Sequence, residues 1–106
     1  MKKNEIKANI KLLEDEGFNI STCEDGSFEL ESYTDAGGDM LIYVDELSRA
    51  NLLRYIYDFD INNEVVIWWQ NGADGKKTPF ADIRQHYNDV ENWCDWCEQV
   101  FEQLKY

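Results

Sequence analysis

Between Leu12 and Gly75 the chain carries fifteen carboxylates against two cations, Arg49 and Arg54, a net charge of −13 where the whole chain sums to −12. This imbalance limits what the chain can fold into. Ionised carboxylates cannot be buried unpaired, so the charge must lie on the outside of a folded body. A disordered acidic tail is the other way to carry such charge, and composition argues against it. Hydrophobic residues make up 43% of the chain, and four Trp, six Tyr and five Phe supply material for a packed core. Self-repulsion among the acids costs stability, which an aromatic-rich core offsets. At 106 residues the chain fits one domain.

Hydrophobic spacing gives the elements. Residues 4 to 16 read as a helix with Ile6, Ile10 and Leu13 on one stripe and Gly17 as its C-terminal cap. Lys2, Lys3, Lys7 and Lys11 come early in it and Glu14, Asp15 and Glu16 late, which opposes the helix dipole, so the stripe is expected to dock onto the rest of the protein. A hairpin follows. Phe18, Ile20 and Thr22 alternate with polar residues, Glu24-Asp25-Gly26 makes a turn, and Phe28, Leu30 and Ser32 alternate with Glu29, Glu31 and Tyr33. Thr34 to Gly38 is a second turn. Met40 to Val44 reads as a third strand, apolar on both sides and more fully buried.

Residues 46 to 58 form a helix. Glu64 to Gln70, with Trp68 and Trp69 on opposite faces, reads as a fourth strand. Asn71 to Pro79 is a loop, and a last helix spans about Asp89 to Gln103, with a shorter helical turn around Ala81 to Tyr87. The order α-β-β-β-α-β-α predicts an α+β fold: a two-layer, mostly antiparallel four-stranded sheet with helices on one face. The other face, with Glu29, Glu31 and Tyr33, is left open to water or to a partner.

The charge excludes some functions. An acidic surface repels nucleic acid and anionic membranes and attracts basic proteins. A net charge of −12 exceeds the roughly 2 to 8 units that solubility asks of a small domain. The lysine-rich start has no apolar run of signal-peptide type, and no stretch approaches the roughly twenty apolar residues of a membrane span. An odd number of cysteines, Cys23, Cys94 and Cys97, argues against a secreted disulfide framework. A cytoplasmic protein is expected.

Catalytic and metal motifs are weak. Cys94-Asp95-Trp96-Cys97 is a C-x-x-C, but it lies mid-helix beside carboxylates that raise a thiol pKa, so small core residues are the better reading. Zinc could draw on Cys23, His86, Cys94 and Cys97, yet only one close pair of ligands exists. His86, the single histidine, has no nucleophile in an elbow motif, and a surface or capping place fits it better than a base. Pairs such as Glu29 and Glu31 are solvated strand neighbours, unlike the apolar-pocket acid of a glycosidase. Asp35 and Asp39 flank Gly37-Gly38 and would repel phosphate. No catalytic residue, metal or cofactor is assigned. Trp68, Trp69 and Trp96 are the aromatic candidates for a contact surface.

The stretches ESYTDAGGDMLIYV, FDINNEVVIWWQNG and TPFADIRQHYNDVENWCDW, over roughly residues 30 to 104, resemble small uncharacterised proteins of bacterial mobile elements and prophages. The likeness lies in the Y-T-x-A-G-x-D-M turn, the F-D-(I/V) before a strand and the acidic C-terminal helix. In size, charge and mixed α/β order the chain is also similar to the anti-CRISPR and antirestriction inhibitors. That resemblance implies a protein that binds a host defence nuclease and blocks its nucleic-acid channel, and it carries over no site residue.

The expectation is a non-enzymatic inhibitor that mimics nucleic acid and sits in the basic groove of such a nuclease. Its partner-binding candidates are Glu24, Asp25, Glu29, Glu31, Tyr33, Asp35, Asp39, Asp58, Asp60, Glu64 and Trp68. A general interaction module or homodimer using Trp-rich surface, and a zinc protein, stay open as alternatives.

Overall fold

The computed structural model describes residues 1–65 and 83–106. Helix α1 spans Lys3–Glu16 and ends at Gly17, whose φ of 118° is left-handed backbone that favours glycine. The Gly17 and Phe18 amides donate to the carbonyls of Glu14 and Leu13, closing the helix end. The dipole-opposed charges gain little locally. The Lys11–Asp15 pair at 3.1 Å is exposed and worth a few tenths of a kcal/mol. Tertiary packing holds α1 instead, through buried Leu13 and Asn9.

Strands β1 (Asn19–Thr22), β2 (Phe28–Tyr33) and β3 (Asp39–Val44) form an antiparallel sheet in the order β1-β2-β3. Register places Ile20 opposite Leu30 and Leu30 opposite Ile42 on the inner face. On the outer face Glu29 meets Tyr43, Glu31 meets Leu41 and Tyr33 meets Asp39. The hairpin is as its alternation predicts. At its tip the Asp25 carboxylate accepts from the Ser27 amide and hydroxyl. In the second turn the Gly38 amide donates to Thr34 Oγ1 at 2.8 Å, and a Cβ on Gly38 would sit 2.9 Å from that oxygen.

The expectation that β3 is apolar on both sides is corrected. Met40, Ile42 and Val44 are buried while Leu41 and Tyr43 are exposed. Five apolar residues in a row conceal a plain alternation, because Tyr and Leu are tolerated on an outer strand face.

Helix α2 spans Arg49–Asp58, starting three residues later than the spacing predicts, because Ser48 caps it by accepting from the Asn51 amide. Its next two free amides are capped across the fold. Arg49 donates to the Lys105 carbonyl and Ala50 to the Tyr106 backbone oxygen, at 3.1 and 3.0 Å. Asn9 completes this clasp. Its amide nitrogen donates to the Leu47 and Lys105 carbonyls, and its oxygen accepts from the Lys105 amide. One buried side chain therefore ties α1, the entry to α2 and the last residues together.

Helix α3 spans Ile83–Phe101 as one continuous element, absorbing the part of the separate short turn that lies at 83–87. Its buried stripe of His86, Val90, Trp93, Cys94, Cys97, Val100 and Phe101 packs into the core with Leu13, Phe18, Leu30, Ile42, Leu47 and Leu52. Inside it the Trp93 indole N–H donates to the Ser32 hydroxyl at 2.9 Å, which accounts for a serine on the inner sheet face.

The fourth strand is not supported. Residues 61–65 are helical, so Glu64 and Val65 are not extended, and Val66 to Gln70 lie outside the described residues. Asp60 starts this helical stretch. Its carboxylate accepts from the Asn63 amide and its carbonyl from the Glu64 amide. Among the described residues the fold is α+β, with a three-stranded antiparallel sheet and helices against its inner face.

Candidate functional site

The outer face of the sheet gathers Glu29, Glu31, Tyr33 and Asp39, four of the expected contact residues. Side chains two apart on a strand share a face at about 6.8 Å spacing. Glu29 and Glu31 therefore form a row on β2, with Asp39 and Tyr43 opposite on β3. The Tyr43 hydroxyl donates to Glu29 at 2.9 Å and holds that carboxylate in place. That bond raises the Tyr43 pKa. The charges of Glu31 and then Asp39 raise that of Tyr33. Both phenols thus stay protonated near neutral pH and remain donors. Tyr33 and Tyr43 are 57% and 56% exposed and Leu41 39%, so the face mixes carboxylates with open aromatic and apolar surface.

No Lys or Arg among the described residues pairs with these acids, the Lys11–Asp15 bridge on α1 being the ion pair present there. The described residues therefore leave the charge on the sheet unneutralised. Glu24 and Asp25 lie at the hairpin tip and Asp35 in the opposite turn, so the acidic row runs toward both ends of the sheet. Asp25 is part of its own turn, and the Ser27 side-chain and backbone hydrogen bonds lower its pKa.

Asp58 and Asp60 stand apart. They line a groove of about 490 Å³ with Tyr43, Asp45, Arg54 and Phe59, where α2 leaves the sheet edge. Arg54 lies among these acids, which makes that region less negative than the sheet face. Glu64 is half-buried in the helical stretch. Trp68 and Trp69 lie outside the described residues. Trp96 is half-buried and stacks on Phe18, with ring centroids 4.9 Å apart and planes 13° apart.

Sequence reasoning missed Leu41 and Tyr43, central members of the outer face. The signal was present, since both share the strand parity of Asp39. It also placed His86 wrongly. The histidine is 5% exposed and not a surface or capping group, because α3 begins at Ile83 and carries it one turn before Val90 on the buried stripe. Burial lowers its pKa, against the raising influence of Asp89 and Glu64.

All three cysteines are free thiols, Cys94 and Cys97 buried and Cys23 half-buried. Burial, then Asp95 and Glu91, pushes the Cys94 thiol up to about 12, and burial pushes Cys97 further in the same direction. A thiolate at either is strongly disfavoured. Among the described residues no three His, Cys, Asp or Glu side chains gather to hold a metal. Iodoacetamide at neutral pH is expected to alkylate half-buried Cys23 in the folded protein and to reach Cys94 and Cys97 only in urea. Mass spectrometry of tryptic peptides checks this. Rapid labelling of Cys94 in the native state would contradict it.

Among the described residues no helix is long and apolar enough to cross a membrane. No protein-family model, curated protein or solved structure matches the chain.

Proposed function

We propose that this chain is a non-enzymatic acidic binding protein of the cytoplasm that occupies the basic nucleic-acid-binding groove of another protein. The reading is that of an inhibitor of a defence nuclease, in the manner of the antirestriction and anti-CRISPR proteins of mobile elements. One observation carries it. The outer sheet face presents Glu29, Glu31 and Asp39 without Lys or Arg partners among the described residues, and a tyrosine hydroxyl fixes Glu29. Ordered, unneutralised carboxylates offer a Lys/Arg-lined groove what a phosphate backbone offers. They also steer encounter from a distance, so association is fast and salt-sensitive.

Affinity for a basic nuclease is the test, measured at about 50 mM and about 200 mM salt with an oligonucleotide as competitor. Affinity falls at least tenfold across that range, by order of magnitude, and the oligonucleotide displaces the chain. Binding that ignores both salt and competitor removes the mimicry reading. Exposed Tyr33, Leu41 and Tyr43 support a second reading, a general interaction module in which aromatic contact dominates. Salt-independent binding without competition is its signature.

A further inference from the structure

A cleft of about 440 Å³ opens where the end of β2 meets the C-terminus of α1 and the middle of α3. Trp96 and Tyr33 are its aromatic walls, Ser32 and Thr34 lie at its base, and Glu16 and Asp35 stand at its rim. We propose that this cleft receives an arginine side chain of a basic protein partner. The inference rests on the acidic-binding reading above and deepens it by naming the residue type that anchors the contact.

Three independent features of the cleft favour a planar cation. Phe18 covers one face of the Trp96 indole, so the part that lines the cleft is its other face or its edge, held rigid by the stack. Guanidinium stacks on such a ring, and rigidity lowers the ordering cost of binding. The cleft also sits at the C-terminus of α1, the negative end of its dipole, beside Glu16 and Gly17. Among the described residues its lining holds two carboxylates and no lysine or arginine. A volume of about 440 Å³ is in the range of side-chain and small-ligand pockets.

Ser32 and Thr34 add fixed oxygens. Each is more than nine-tenths buried, and each hydroxyl oxygen already accepts one bond, from the Trp93 indole and from the Gly38 amide. Those bonds hold the oxygens in place with lone-pair capacity left for a guanidinium N–H. Tyr33 belongs to both the cleft and the outer sheet face, so an arginine seated here continues a chain lying along Glu31 and Glu29. Lysine matches the charge but not the planar face, and choline-like cations lack the N–H donors.

The probes are hexa-arginine and hexa-lysine peptides, titrated at about 50 mM salt by calorimetry and by the Trp96 indole N–H resonance. Hexa-arginine is expected to bind about fivefold tighter than hexa-lysine and to shift that resonance. The double change Glu16→Gln with Asp35→Asn abolishes the preference. Glu46→Gln with Glu91→Gln, an equal loss of charge at exposed positions outside the cleft, retains it. All four acids are exposed and their replacements keep the side-chain shape, so folding is not at stake, whereas Trp96→Ala would unstack Phe18. Equal binding of both peptides, with the two double variants alike, overturns the arginine cleft and leaves the acidic-binding reading standing. No binding of either peptide overturns both.

Discussion

Asn9→Leu is expected to lower the free energy of unfolding by about 2–4 kcal/mol, although leucine keeps the branched shape of asparagine. The change removes three hydrogen bonds made by a side chain only 2% exposed. It leaves the Leu47 carbonyl and the Lys105 amide without the partners they have now. The Lys105 carbonyl keeps one bond, from Arg49, which is why the loss is not larger. Urea unfolding reads the change directly, and the melting temperature falls by about 4–8 °C per kcal/mol.

Loosening the last residues should also uncap α2, so hydrogen exchange at the Arg49 and Ala50 amides quickens. Asn9→Asp separates the roles of the two amide atoms. Its carboxylate still accepts from Lys105 but faces the Leu47 and Lys105 carbonyl oxygens. An acid in that place has a raised pKa and binds its proton more tightly folded than unfolded. Its stability deficit therefore narrows as pH falls toward about 4. A deficit that stays constant from neutral to acid pH, or an Asn9→Leu variant as stable as the parent, would show that the clasp contributes little.

The clasp illustrates what the sequence could not convey. Asn9 sits in a helix among lysines, and nothing local distinguishes it from a solvated asparagine. Its partners are 38 and 96 residues away. The hairpin, by contrast, was legible because its alternation and its Glu24-Asp25-Gly26 turn act over neighbours alone. So was the end of α1 at Gly17. Errors arose where two signals competed. In β3 a run of five apolar residues masked a period of two. At Glu64 the β-branched valines outweighed Asp60 as a cap, although Asp-x-x-Asn-Glu is itself a helix start. His86 looked solvated because the start of α3 was set too late, and a shift of boundary moves a residue from one helix face to the buried stripe. The acidic face was readable as a charge total and as strand parity for Glu29, Glu31 and Tyr33. Its completion by Tyr43 and Leu41 needed the register of β3 against β2.

Reversing the sheet face gives the other large effect. Glu29→Lys, Glu31→Lys and Asp39→Lys together change the charge of one face by six units. Each reversal is worth about 1–2 kcal/mol against a basic groove at low salt. The triple variant should therefore bind a basic nuclease roughly a thousandfold more weakly, or not measurably. Its stability should hold or rise. Lysine stems cover strand surface as well as glutamate does, and each new cation lies in the field of the remaining acids. The Tyr43 hydroxyl loses its Glu29 acceptor but is exposed and finds water. Loss of binding with retained stability thus assigns the carboxylates to recognition and not to folding. A second triple variant decides whether the face or only the total charge matters. Lysine at exposed Glu91 and Asp95 of α3 and at Glu102 just past its end makes the same change of charge elsewhere on the molecule. Docking through the sheet predicts that this variant slows association modestly and leaves dissociation unchanged, since remote charge acts on encounter. Equal losses of affinity in the two variants would mean that charge acts at a distance and that the sheet face is no interface.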